Sequence, residues 1–158
     1  MLVGCLTCAA GIFAWTILEY VIHGVMGHAN RTFVTPMHQV HHRDPRAVFA
    51  LGAWIPTIAV LLGGLYLFGS SRGIIFFAGL VVGFACYEII HYRIHFSTPL
   101  GRIETRLRAR HLAHHFQKPS AIFGVTTSLW DHVMRSEPSP TEMRALIAYG
   151  EQIEPLDG

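Results

Sequence analysis

The stretch His111-Leu112-Ala113-His114-His115 decides how the chain is read. On a helix, positions i, i+3 and i+4 fall on one side, so these three imidazoles can face a common target. The same spacing recurs at His38, His41 and His42. A pair four apart stands at His91 and His95, and a pair five apart at His23 and His28; together the clusters use ten of the 11 histidines. Neutral imidazole is the commonest metal ligand, and ten are too many for one ion. The pattern predicts a two-metal site, with the rest of the chain as its frame. His132, outside the clusters, is expected at the surface or behind the ligands.

Apolar segments lead into the first and third clusters. Residues 2–22 carry one charge, Glu19, and are long enough to cross about 30 Å of hydrocarbon. No basic stretch precedes this segment and no small-residue cleavage site follows it, which argues against a removable signal. Residues 47–69 carry no charge and 73–90 only Glu88, joined by Ser70-Ser71-Arg72. This predicts a transmembrane hairpin, with Pro56 a kink, whose second arm ends in His91 and His95. Gly63, Gly64, Gly79 and Gly83 suit close helix packing.

The polar parts carry helix punctuation. Thr35-Pro36 and Thr98-Pro99 resemble caps with proline at the first helical position, opening the helices of the second and fourth clusters. Asp44-Pro45 and Lys118-Pro119 close them. Residues 120–135 are too polar to span. Ser139-Pro140-Thr141-Glu142 reads as a capping box opening an amphipathic helix over about 140–150.

Composition agrees. The chain is 51% apolar and 14% charged, against about 25% charged for soluble domains, which points to lipid around much of it. The formal charge of +2, with no basic block interleaved with aromatics, gives no reason to expect nucleic acid. Cys5, Cys8 and Cys86 lie in apolar stretches and read as small core residues. The expected fold is an all-α integral membrane protein, one domain over 1–158. About three transmembrane helices (about 2–22, 47–69 and 73–92) carry helical histidine-rich parts at 23–46 and 91–135. Of 12 Lys and Arg residues only Arg72 falls across the membrane from the histidines. The positive-inside rule therefore places the site on the cytoplasmic face, with the N-terminus outside.

A structural zinc site is usually four-coordinate and cysteine-rich, and here no cysteine can reach the histidines. Two divalent ions beside a low-dielectric phase call for anions. Glu19, Glu88 and Asp131 are the candidates, expected to accept the second ring N–H of ligating histidines.

The order HxxxxH, HxxHH, HxxxH, HxxHH, with spans before the first and third clusters, resembles the fatty acid hydroxylase/sterol desaturase superfamily. Trp15-Thr16-Ile17-Leu18-Glu19-Tyr20, His91-Tyr92-Arg93-Ile94-His95-Phe96 and His114-His115-Phe116 are similar to its fatty acid 2-hydroxylase branch. So is Phe123-Gly124-Val125-Thr126-Thr127-Ser128-Leu129-Trp130-Asp131, and the similarity covers about residues 12–135. The resemblance implies ten ligands, His23, His28, His38, His41, His42, His91, His95, His111, His114 and His115, holding two iron ions that activate O2. It implies hydroxylation of a long-chain lipid in the bilayer, at carbon 2 of a fatty acyl chain. Zinc binds comparable imidazole sites at least as well as ferrous iron and can occupy a purified sample.

Departures are visible. Family members usually have four membrane helices, where three are counted here, and Met134-Arg135-Ser136 replaces the usual Phe-Gly-Thr after the Trp-Asp motif. No haem motif of a fused cytochrome b5 domain is present, so electrons are expected from a separate protein, cytochrome b5-like or ferredoxin. In a bacterium the membrane would be the inner one, in a eukaryote that of the endoplasmic reticulum. A carotenoid ring hydroxylase, a sterol oxidase or desaturase, and a non-catalytic membrane metal-binding protein are the alternative readings.

Overall fold

The computed structural model describes residues 2–29, 31–48, 62–64, 66 and 69–156. Helix α1 (Leu2–Tyr20) runs straight into a π-helical stretch, Val21–Ala29, followed by α2 (Val34–Arg43), α3 (Ser71–Phe96), α4 (Arg102–Phe116), α5 (Leu129–Val133) and α6 (Pro140–Glu151). Among the described residues, two helices are long and apolar enough to cross a membrane, Leu2–Ala29 and Ser71–Phe96. Their outward faces are apolar, with Leu2, Leu6, Phe13, Val81, Val82 and Ile89 exposed. A helix with an apolar outside has lipid as its solvent, and the molecule is a membrane protein. The third expected span, 47–69, lies for the most part outside the described residues.

The two long helices meet through small residues. A Cβ on Gly11 would overlap the Phe76 carbonyl, and one on Gly79 the carbonyl of Cys8. Backbone therefore lies on backbone at this crossing, the usual route to close packing in lipid. One turn on, Gly83 makes room for the Trp15 ring, which also packs on Phe84 with centroids 4.9 Å apart. Cys5 and Cys86 are exposed rather than in the core. Outside these helices the surroundings are lipid, as apolar as a core, so the apolar stretches did not distinguish the two.

Helix α3 extends beyond the expected 73–92, so His91 and His95 ride on the last turns of the span itself. Ser70 caps its start, accepting from the Gly73 N–H at 3.2 Å. The capping box at Ser139 is present in its first half, with Ser139 Oγ accepting from Glu142 N–H at 3.3 Å; the Glu142 carboxylate pairs with Lys118 instead. The other two expected caps are corrected. α2 starts at Val34, and the Thr35 hydroxyl donates to the Met26 carbonyl (2.8 Å), tying α2 back to the π-helical stretch. α4 starts at Arg102 after Gly101, with no side-chain cap. Glu104 accepts from the Leu100 N–H (2.6 Å) and from Arg93, whose Nε donates at 2.5 Å.

α4 is the central element of the polar half. Leu112 packs with Ile94 and Val125, Ala113 with Ala121, Ile122 and Leu146. Its 15 residues thus sit between the end of α3, the 121–126 loop and α6.

Candidate metal centre

The ten histidines converge as two groups of five. One comprises His23, His28, His38, His42 and His114, the other His41, His91, His95, His111 and His115; in each, the facing nitrogens lie within 4.8 Å of one another. Helical geometry explains the sorting. In each HxxHH motif the pair four apart goes to one group and the histidine between them to the other. His38 and His42 join the first while His41 joins the second; His111 and His115 join the second while His114 joins the first. The pair His91/His95 completes the second group from α3. His23 and His28 complete the first from the π-helical stretch, where the i→i+5 ladder brings residues five apart one above the other. The five-residue spacing is thus the signature of that rare turn.

The separations match metal ligation. His114 Nε2 lies 3.1 Å from the Nε2 atoms of His23, His28 and His42. His28 to His38 is 2.6 Å and His38 to His42 2.9 Å. In the second group His111 Nε2 is 3.0 Å from His91 and 3.1 Å from His95. With metal–nitrogen bonds of about 2.1 Å, two ligands at right angles stand about 3.0 Å apart.

Two rings show which nitrogen carries the proton. His23 Nδ1 donates to the Phe123 carbonyl at 2.5 Å, and His114 Nδ1 to the Ala121 carbonyl at 2.7 Å. A carbonyl only accepts, so both Nε2 atoms are bare lone pairs facing each other. Two lone pairs at 3.1 Å repel unless a cation lies between them. In the second group the buried Nε2 atoms of His41 and His115 have no protein partner, again a donor set directed at something other than protein. The residues therefore fit a metal ion in each group.

Burial reinforces this. It pushes the His38 imidazole down to about 2, His114 to about 3 and His41 and His42 to about 4, with neighbouring imidazoles adding to the effect at His38 and His42. His111 and His115 lie far below the ordinary range for the same two reasons. These rings are neutral at pH 7, the state a metal ligand requires.

Two of the three carboxylates have other partners than the expected ring nitrogens. Glu19, 3% exposed, accepts from the N–H groups of Val125 (2.7 Å) and Thr126 (2.9 Å) and from the Thr126 hydroxyl. Asp131, fully buried, accepts from the N–H groups of Phe123 (2.7 Å) and Gly124 (3.0 Å), from Ser136 Oγ (2.8 Å) and from Arg110 (3.0 Å). Both act one step further out than expected: they hold the loop whose carbonyls orient His23 and His114. Glu88 Oε2 is buried without a partner, at the wall of a cavity. His132 is 84% exposed, beside Glu137. The residues the sequence did not single out are Ala121, Phe123, Arg108 and Arg110. The first two act through backbone carbonyls, which leave no mark on residue type. The arginines could have been found as cations flanking His111 in a stretch too crowded with ligands to be solvated.

That cavity, of about 120 Å³, is bordered by His23 and His38 of one group and His41 and His91 of the other. Its remaining walls include Trp15, Ile22, Phe84, Tyr87 and Glu88 from the two membrane helices and Met37 and Val48. An apolar chain entering from the spans would meet both groups.

A family model described as fatty acid hydroxylase matches residues 8–136. The chain is 32% identical over 141 residues to a fatty acid 2-hydroxylase of Macaca fascicularis, covering 77% of this chain and 37% of that one. It is 30% identical over 141 residues to a dihydroceramide fatty acyl 2-hydroxylase of Arabidopsis thaliana, covering 82% and 59%. The chain thus spans well under two thirds of these relatives' length. Among solved structures it is similar to full-length scs7p, of which only the hydroxylase domain is visible. There the TM-score is 0.76 and the identity 27%, over 88% of this chain and 58% of that one. A match across residues 8–136, carrying all ten clustered histidines, means that the chain belongs to the fatty acid hydroxylase family.

Proposed function

We propose that the protein is a membrane-bound, O2-dependent di-iron monooxygenase that hydroxylates carbon 2 of a long fatty acyl chain. One observation carries the reading: two five-histidine groups share the wall of a single cavity with apolar side chains of two membrane helices. His23, His28, His38, His42 and His114 would hold one ion, His41, His91, His95, His111 and His115 the other. When bound, the two reduced ions would give O2 the electron pair that, with two protons, converts C–H to C–OH, the second oxygen leaving as water.

The chain's own residues do the rest. Trp15, Ile22, Phe84 and Met37 keep the cavity dry and grip the acyl chain by burial. The helices α1 and α3 let its tail remain in the bilayer while its head-end carbons reach the ligand groups. Phe123 and Ala121 fix the ring planes of His23 and His114, which keeps the reacting centre from shifting. The multi-pass topology and cytoplasmic placement of the site are supported by the bias of Lys and Arg. The electron pair would come from a separate carrier protein. The names of the relatives, fatty acid 2-hydroxylase and dihydroceramide fatty acyl 2-hydroxylase, favour carbon 2 and an acyl or ceramide substrate.

The test is lipid mass spectrometry of cells with and without the gene, paired with elemental analysis of protein purified anaerobically in detergent. New 2-hydroxy acyl species and two metals per chain are expected. His114→Ala should lose the metal of the first group and all turnover. Two metals without any lipid change would leave a metal-binding membrane protein, and hydroxylation that survives His114→Ala would overturn the two-metal mechanism.

A further inference from the structure

The two histidine groups share α4 but differ in what fixes their other ligands. The rings of the first are oriented by the 121–126 loop, through the Ala121 and Phe123 carbonyls. No ring of the second group bonds to that loop. The helix segments that carry four of its histidines are bonded instead by the chain's C-terminal part, beyond the region matched by the family model.

A helix leaves its last four carbonyls without partners in the helix. At the end of α3 these fall among the ligands, because His95 is itself in the last turn. Ser97 N–H takes the Arg93 carbonyl at 2.9 Å. Arg108, 5% exposed, donates Nε to the Ile94 carbonyl at 3.0 Å. The N–H of Leu156 donates to the carbonyl of His95 at 2.7 Å. Arg108 also donates Nη1 to the Ile153 carbonyl at 2.7 Å, so one guanidinium ties α3 and the C-terminal segment to α4, three residues before His111. Gly150 completes the seat: a Cβ there would overlap the Ala109 carbonyl, so α6 lies directly on the backbone of α4. Cationic and N–H donors at a helix C-terminus are favourable on electrostatic grounds as well.

We infer that residues 150–156, with Arg108 as their hub, form a strap that positions the second histidine group more than the first, which has only His114 on the joined helix segments. Four of that group's five histidines, His91, His95, His111 and His115, ride on the two helix segments the strap joins. Arg108 is a positioning residue: it touches no ligand nitrogen and acts through the backbone of α3 and α4. The inference rests on the two-metal reading above.

The test is titration of Co(II) into the metal-free full-length protein in detergent, followed by visible absorption and elemental analysis. The variants are Arg108→Ala and Leu156→Pro, the second of which removes one N–H near the chain end. In each, one metal should bind as in the wild type and the other about 10–100-fold more weakly. Adding His28→Ala to either should abolish tight binding altogether, whereas adding His95→Ala should cause no loss beyond that of His95→Ala alone. Equal weakening of both metals, or wild-type binding of both, would overturn the strap. A wild-type protein that binds fewer than two Co(II) would instead remove the two-metal reading beneath it. Should Arg108→Ala fail to accumulate, Leu156→Pro decides by the same criteria.

Discussion

Ile122 stands between the two carbonyls that orient His114 and His23, with φ at 63°. A β-branched residue in the left-handed region is a true outlier, at a cost of order 1–2 kcal/mol. The surroundings hold it there: Ile122 is fully buried against Ala113, Ala121 and Leu146, and Asp131 takes the next two N–H groups. Asp131 is therefore the pin of the loop, and its charge is matched by Arg110, also buried. Asp131→Asn should destabilise the protein by about 3–5 kcal/mol, the range for breaking a buried pair, and weaken metal in the first group before the second. Thermal unfolding and metal content of that variant check this; unchanged values for both would mean that the loop holds itself. The histidines were legible from the sequence because ligand chemistry demands that residue type. The carbonyls were not, since every residue has one, and so Glu19 and Asp131 were expected one contact too close to the rings.

At the scale of elements, the two described spans and the helix opened by Ser139-Pro140 follow from hydropathy and the capping signal, because lipid and caps act locally. The π-helical stretch Val21–Ala29 does not, because a 3.6-residue period was assumed where the His23/His28 spacing called for a wider one. The crossing of α1 and α3 was half legible. Gly79 and Gly83 were expected at a helix contact, while the partner position, Gly11, became visible only when the two backbones met. This crossing sets the distance between His23, at the end of one helix, and His91, at the end of the other. Gly79→Val would force its side chain into the Cys8 carbonyl, and overpacking of this kind costs typically about 1–3 kcal/mol. The expected outcome is a lower unfolding temperature in detergent with loss of metal from both groups, since each draws on one of the two helices. A variant with wild-type unfolding and full metal content would show that the helices can separate without moving the ligands.

For the whole molecule, gathering ten imidazoles at the end of two membrane helices makes the fold sensitive to acid in a defined direction. An unfolded chain protonates each histidine near pH 6.5, whereas burial keeps His41 and His42 neutral down to about 4, His114 to about 3 and His38 to about 2. Between those values the unfolded state binds more protons than the folded one, so stability is fully present above pH 6.5 and is lost as pH falls below it. A fully buried ring such as His114 contributes a slope of about 1.4 kcal/mol per pH unit in that window. Metal adds to the effect in the same sense, because protons and ions compete for the same lone pairs. Unfolding of the metal-free protein, followed by circular dichroism in detergent, should therefore show a midpoint that is level from pH 9 to about 7 and falls steadily from about 6.5 to 4. The metal-loaded protein should release its ions over the same range. A midpoint that stayed level to pH 4 would mean that the rings are solvated in the fold and the two groups are not assembled before metal arrives.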